Sequence, residues 1–365
     1  MDRTNSSPAH EGTISACKPR PPRRRHNWAL AVAIGLSCVF AAACESGAIP
    51  NSLDPFAAGS ISSPSMGYID SIFINASGDR IYFLHSVLSA NDFLGGTVIY
   101  PQAPFLPGHQ GQGTGVFWNS DLYVIAWTGS AWGTPENLGS QINTLGNECC
   151  VWLNPEETEI IFFRDNLTLP IGPSGNFVAT RPSRSHPWGT PVALPGDYGT
   201  TNQNPSAGVY RHDIHKTASG DLYLWENGSG GNGDELIYGR FNGSGYDLPV
   251  LLTAANSVRD ETQVWVSPDE RTMLLNRRDA ISGETELVRL TRPDTTSAWG
   301  GLFSLPVAGF ADAAGRLVWG EPTLPASQSH LLFIRFETSA LPWQAQIMYA
   351  PGNPATGFGA AVKLN

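Results

Sequence analysis

Five acidic residues, Asp70, Glu148, Asp213, Glu261 and Glu321, recur at comparable places along the chain. Each stands four to six residues ahead of a turn that opens an apolar run. Carboxyl groups gathered in one place can hold a cation such as Ca²⁺ through hard oxygen ligands. They can accept hydrogen bonds from a polar ligand, or act as an acid–base pair whose mutual repulsion pushes their pKa values apart. The structural alternative is that these acids bond backbone and fasten neighbouring elements together. The second feature is the pair Cys149-Cys150 in Asn147-Glu148-Cys149-Cys150. Adjacent Cα atoms lie about 3.8 Å apart, below the usual disulfide range of about 4.4–6.8 Å. Two readings stay open: a strained disulfide that kinks the chain, or two thiols on opposite faces of a strand. In His212-Asp213-Ile214-His215 the histidines are three apart, so on a strand they face opposite sides. They are not expected to share an ion and read as polar loop residues. Gly243-Ser244-Gly245 lacks the strand–turn–helix setting of a hydrolase nucleophile.

These residues need elements to position them, and the chain repeats those elements. Five turns rich in Pro, Gly, Asp, Asn or Ser each lead into an apolar strand. The strands are Ile81-Tyr82-Phe83-Leu84, Ile160-Ile161-Phe162-Phe163, Leu222-Tyr223-Leu224-Trp225, Met273-Leu274-Leu275 and Leu331-Leu332-Phe333-Ile334. A second marker, an aromatic followed by a small or polar residue, closes each unit: Trp132-Gly133, Trp188-Gly189, Tyr246-Asp247, Trp299-Gly300 and Phe358-Gly359, spaced 56, 58, 53 and 59 residues apart. With a third strand before each marker and a short outer edge after it, the pattern is five units of four strands. It predicts an all-β chain folded as a five-bladed β-propeller of four-stranded antiparallel blades, at about 67–140, 141–196, 205–253, 258–307 and 317–365. Blades packed in a ring bury both faces of every sheet. Each blade is expected whole, with no strand borrowed from the other terminus. The five acids then sit where the innermost strands meet one channel mouth.

One stretch carries a resemblance. Asp121-Leu122-Tyr123-Val124, Trp132-Gly133-Thr134-Pro135-Glu136-Asn137-Leu138-Gly139, Ile142-Asn143-Thr144, Asn147-Glu148 and Asn154-Pro155-Glu156 resemble the TolB-type (WD40-like) β-propeller repeat of bacterial envelope proteins. Ser267-Pro268-Asp269 keeps another piece of that pattern, whereas Val151 stands where the family has proline. The resemblance implies a propeller outside the cytoplasm and does not imply one chemistry. It leaves two functions to weigh. The first is a non-catalytic binding or scaffolding propeller, with Asp70, Glu148, Asp213, Glu261 and Glu321 at a ligand or partner site. The second is a glycoside hydrolase using Asp70, Glu148 and Glu261. Three carboxylates around an aromatic-lined pocket would favour the enzyme; ion pairing to Arg211, Arg259 or backbone would count against it.

The N-terminal region adds a location. Arg20, Arg23, Arg24 and Arg25 precede an apolar run from residue 28 to 43, which ends Ala41-Ala42-Ala43-Cys44. A basic segment, a short apolar segment and small residues read as an export signal over residues 1–43. Cys44 directly after them resembles a lipobox, although Ala41 stands where leucine is usual. Plain export and an uncleaved anchor are the alternatives to lipidation. Residues 44–66 read as a flexible tether. Six of the 22 basic and two of the 32 acidic residues lie in 1–43, which leaves 16 against 30, about −14. Such a surface disfavours nucleic acid and anionic lipid. The expected protein is an exported monomer, periplasmic or on the outer cell surface, that meets the membrane only through its anchor. It needs no cofactor, Ca²⁺ being an option, and its partner is an envelope protein or a small polar or glycan ligand.

Overall fold

The computed structural model describes residues 66–130, 132–166, 173–200, 210–227, 233–279 and 282–364. The expected export signal, Cys44 and all of the tether but Met66 lie outside the described residues. Among the described residues no helix is long and apolar enough to cross a membrane.

The chain forms five antiparallel sheets, each from one consecutive stretch. The first holds β1 (Tyr68–Ile74), β2 (Arg80–Ser86), β3 (Asp121–Ala126) and β4 (Glu136–Asn137). The second holds β5 (Asn147–Leu153), β6 (Glu159–Asp165), β7 (Gly175–Thr180) and β8 (Val192–Ala193). The third holds β9 (Arg211–Lys216), β10 (Leu222–Glu226), β11 (Glu235–Gly239) and β12 (Val250–Leu251), and the fourth β13 (Asp260–Val266), β14 (Thr272–Arg278), β15 (Thr285–Thr291) and β16 (Gly300–Ser304). The fifth holds β17 (Arg316–Thr323), β18 (His330–Glu337) and β19 (Gln344–Asn353), with β20 (Gly357–Phe358) and β21 (Val362–Lys363) both pairing β19. The innermost strands β1, β5, β9, β13 and β17 are neighbours in that order, and β17 returns to β1. This is the predicted five-bladed propeller.

Ring packing explains the composition of the second strands. Both faces of a blade are covered, so these strands read as unbroken apolar runs rather than alternating ones. Ile81, Phe83, Ile160, Phe162, Leu331 and Phe333 are fully buried. The blade-closing tryptophans fill the widening outer gap as expected, with Trp132, Trp188 and Trp299 all buried. Arg181 lies 4.0 Å over Trp188 and Arg292 4.5 Å over Trp299. Blade one carries an excursion between β2 and β3 that the repeat pattern does not announce. It contains a short helix, α1 (Ala90–Gly95), started by Ser89, whose Oγ accepts the Asp92 N–H, and stopped by left-handed Gly96. Phe93 of α1 stacks on Tyr68, centroids 4.4 Å apart, at the channel mouth.

Candidate functional site

One backbone device repeats in all five innermost strands. The pairings Asp70↔Leu84 and Phe73↔Tyr82, Cys149↔Phe163 and Trp152↔Ile161, His212↔Trp225 and His215↔Tyr223, Thr262↔Asn276 and Trp265↔Leu274, and Gly320↔Ile334 and Thr323↔Leu332 each fit three steps against two. Each is a β-bulge with one extra residue on the inner strand. Its left-handed residue is Ser71 (φ 54°), Cys150 (φ 62°), Asp213 (φ 54°), Gln263 (φ 51°) or Glu321 (φ 60°). These five ring a narrow axial cavity of about 50 Å³.

The bulges also connect the blades. Glu321 Oε2 accepts the Ile72 N–H at 3.1 Å, and Ser71 Oγ reaches Cys150 Sγ at 3.9 Å. Cys150 Sγ meets His212 Nδ1 at 3.4 Å, His215 Nε2 accepts the Val266 N–H at 3.3 Å, and Gln263 Oε1 accepts the Glu321 N–H at 3.2 Å. The contacts pass from blade to blade around the whole axis, so the ring residues are held by their neighbours as well as by their own strands.

Three of the five predicted acids converge. Asp70, Asp213 and Glu321 line the mouth at the start of the inner strands, a cavity of about 300 Å³ rimmed by Phe93, Tyr210, Trp225 and Trp319. Burial is the main force raising the Asp70 carboxyl, to about 6, against hydrogen bonds from Glu321 and Tyr68 that favour its ionised form. Glu321 is raised well above the usual carboxylate range, first by burial and then by the charges of Asp70 and Asp213. Two buried carboxyls this close can hydrogen-bond only by sharing one proton, and burial raises both Asp70 and Glu321. Asp70 Oδ2 also accepts the Tyr68 hydroxyl, while Asp70 Oδ1 meets no donor among the described residues. Asp213 Oδ2 accepts the Trp225 indole N–H and lies 3.2 Å from His212 Nδ1. The trio can bind hydroxyl or amine groups, deliver a proton from the Asp70–Glu321 pair, or hold a hard cation once that proton leaves.

The other two acids are placed elsewhere, which corrects the expectation that all five line the mouth. Glu148 is fully buried between blades. It accepts the Thr144 N–H at 3.1 Å, the Thr144 hydroxyl at 2.6 Å and Arg164 Nε at 2.9 Å. Glu261 repeats the pattern, accepting the Ser257 N–H at 3.0 Å, the Ser257 hydroxyl at 2.6 Å and Arg277 Nε at 2.9 Å. The backbone N–H of Glu148 bonds Ser120 O, and that of Glu261 bonds Asp234 O, across the preceding blade boundary. Asn143 and Asn256 complete both staples by exchanging hydrogen bonds with the backbone of Leu122 and Leu236. The partners are Arg164 and Arg277; Arg211 pairs Glu226, and Arg259 pairs Asp279 and Glu286. A catalytic set of Asp70, Glu148 and Glu261 is therefore not assembled. The reason is register. Glu148 and Glu261 stand two residues before the bulge, Asp70 one before it, and Asp213 and Glu321 on it.

Other predicted residues have definite places. Cys149 and Cys150 are joined as a disulfide within β5. His212 and His215 are strand residues of β9, not loop residues. As expected they do not share a site: His212 faces the mouth, while His215 lies half-buried at the next layer with its pKa lowered to about 3 by desolvation. The aromatic rim went unforeseen. Trp225 belongs to a second strand, Phe93 to the blade-one excursion and Tyr210 to a connection. Glu157 and Glu270 were also missed. Both are hairpin-turn residues in the left-handed region, aligned with Gly78 and Gly220, and that alignment was the available signal. Glu157 accepts Asn75 Nδ2 at 2.7 Å, and Glu270 accepts the Ser219 N–H at 2.6 Å, which ties each turn to the preceding blade.

No protein-family model matches the chain, and no curated protein matches it. Solved structures similar to it include an exo-β-1,3-galactanase from Phanerochaete chrysosporium, 10% identical, covering 87% of this chain and 67% of that one with a TM-score of 0.42. The β-propeller domain of the Trilobed protease from Pyrococcus furiosus is 8% identical over 81% of this chain and 67% of that one, TM-score 0.33. A GH74 enzyme from Niastella koreensis is 11% identical over 81% of this chain and 38% of that one, TM-score 0.38. At these identities the likenesses reach no further than the fold.

Proposed function

We propose that the protein is an exported, TolB-like propeller of the bacterial envelope, lipidated at Cys44, that binds a hydroxyl-rich ligand of the glycan type at its acidic mouth. The observation that carries this reading is the convergence of Asp70, Asp213 and Glu321 beneath Phe93, Tyr210, Trp225 and Trp319. Carboxyl oxygens accept from hydroxyl groups, and aromatic faces cover the apolar faces of sugar rings. A cavity near 300 Å³ stands at the small end of the ligand-pocket range, about 300–1,000 Å³, and suits one or two rings. The acidic balance of the exported part disfavours nucleic acid, so the partner is a neutral or cationic molecule, and the protein acts as a monomer.

The test is a glycan array followed by calorimetry on the mature chain, with Asp213→Asn and Trp225→Ala. Both variants should lose binding; Asp213→Asn should keep the wild-type melting temperature, whereas Trp225→Ala also removes core packing and should lower it. Equal binding by Asp213→Asn would end the assignment of this mouth. One observation favours hydrolysis as a second reading: Glu321 is buried beside two further carboxyls, a setting that raises its pKa as a general acid requires. Release of reducing sugar from a bound glycan, abolished by Glu321→Gln, would establish it; binding without release leaves the binding role.

A further inference from the structure

The disulfide stands against two metal-binding groups that the glycan reading does not use as such. Cys150 occupies the left-handed bulge position of β5. Its Sγ lies 3.4 Å from His212 Nδ1 on β9, and that nitrogen lies 3.2 Å from Asp213 Oδ2. The three atoms all fall within 4.8 Å of one another. His212 is fixed by Trp225 at 4.2 Å, Phe163 at 5.3 Å and Tyr210 at 6.4 Å between centroids, and the Trp225 indole N–H holds the Asp213 carboxylate.

We propose that reduction of Cys149–Cys150 converts this mouth into a site for a soft divalent cation of the Zn²⁺ class, with Cys150, His212 and Asp213 as ligands. Zinc takes sulfur at about 2.3 Å, and nitrogen and oxygen at about 2.0–2.2 Å, in a tetrahedron whose edges are then roughly 3.3–3.6 Å. The sulfur–nitrogen spacing of 3.4 Å falls within those edges, and the nitrogen–oxygen spacing of 3.2 Å lies just below them. What is missing in the disulfide form is the thiolate, since the thiolate is the metal ligand. A dithiol reductant supplies it by exchange. One of its thiolates attacks Cys149 Sγ, the S–S bond breaks, and Cys150 leaves as thiolate. The second thiol then displaces Cys149 and closes the reductant's own disulfide. Two electrons and two protons pass from the dithiol to the two cysteines. Metal binding next expels the proton on Cys150 Sγ and takes His212 as the neutral tautomer that carries its proton on Nε2. The fourth position is left to Cys149 or water. Oxidation reverses the change, so metal occupancy reports the thiol–disulfide balance outside the fold. The site shares Asp213 with the glycan reading but does not depend on it.

The metals alone test this on the full chain, with Co²⁺ as spectroscopic probe and Zn²⁺ by calorimetry. Reduction is by a trialkylphosphine, which ends as the phosphine oxide with oxygen taken from water and competes weakly for zinc. The reduced protein should bind one Co²⁺ with a sulfur-to-cobalt charge-transfer band, and Zn²⁺ about 100-fold or more tighter than the disulfide form. Cys149→Ser, which cannot form the bond, should bind Co²⁺ through sulfur without reductant. His212→Ala in the reduced state should weaken Zn²⁺ by about 10–100-fold, the loss that even an outer-shell change can bring, with both thiols present. Equal affinity in the two redox states, or no Co²⁺ binding by Cys149→Ser, or undiminished binding by His212→Ala, would each overturn the proposal.

Discussion

Replacing Glu148 by alanine should cost stability and leave ligand binding intact, and the structure sets the size of the effect. The carboxylate is fully buried and accepts three hydrogen bonds, one from Arg164, whose side chain is only 13% exposed. Its removal strands a mostly buried guanidinium, a loss of about 3–5 kcal/mol for a broken buried pair. With roughly 2 °C per kcal/mol for a large domain, the melting temperature should fall by about 6–10 °C. Glu261→Ala makes an internal control. Its partner Arg277 keeps a second acid, Glu286, at 3.5 Å, so the loss should be smaller, about 2–3 kcal/mol, for a charge that is still paired. The assay is thermal unfolding of both variants by circular dichroism, with calorimetric titration of whatever ligand the wild type binds. A Glu148→Ala protein that melts like wild type, or that loses binding without losing stability, would refute the division of the acids into staples and channel groups. A larger loss at Glu261 than at Glu148 would refute the account of the arginines.

The remaining predictions concern the mouth and the bulges. Asp70 and Glu321 have raised pKa values, so the native state holds protons that the unfolded chain releases, and their contribution to stability falls as pH rises from about 4 upward. Buried His85 and half-buried His215, both lowered to about 3 by desolvation, carry the opposite sign up to their unfolded value. The readout is therefore the difference from Glu321→Gln: in urea unfolding that variant should gain about 1–3 kcal/mol on wild type between pH 5 and pH 8. Ser71→Gly relieves a left-handed residue at φ 54° and should stabilise by up to about 1 kcal/mol, read as a higher urea midpoint. Arg292→Met removes both the stack on Trp299 and the 3.2 Å pair with Glu270, and should cost about 2–4 kcal/mol in the same assay.

The architecture was legible because it rests on local signals repeated five times. A turn that needs Gly, Asp, Asn or Pro, an apolar strand behind it and an aromatic at the blade end each declare themselves within a few residues. The vicinal cysteines were legible as a feature, but their state was not, since adjacency allows both a bond and two free thiols. The sorting of the acids was illegible for another reason. A strand alternates faces every residue, so an offset of one decides which side a carboxylate sees. The bulge adds one residue at Ser71, Cys150, Asp213, Gln263 and Glu321, positions that share no residue type. With Ser, Cys, Asp, Gln and Glu at equivalent places, no composition rule marks the site. The rim was hidden too, because Phe93 and Tyr210 come from segments outside the repeat.

The bulge also explains how one repeat serves two purposes. Two residues before it, a side chain turns into the seam between blades, where an acid finds an arginine from its own second strand and a hydroxyl from the preceding connection. On it, the side chain is turned to the axis, where neighbours come only from other blades. Seam positions are answered locally, so Glu148 and Glu261 can recur with the same partners: Thr144 with Arg164, and Ser257 with Arg277. Axial positions are answered by the ring, so each depends on what four other blades present. Asp213 in place of a seam acid in blade three, and Glu321 in blade five, place carboxyls that pair with no arginine among the ion pairs of the described residues. Their charge is then met by a shared proton, an indole N–H and a histidine, groups that a ligand or a metal can displace. It is this difference in partners, an arginine of the same blade at the seam and groups of other kinds at the axis, rather than acidity itself, that distinguishes the channel acids from the structural ones and makes the mouth available for binding.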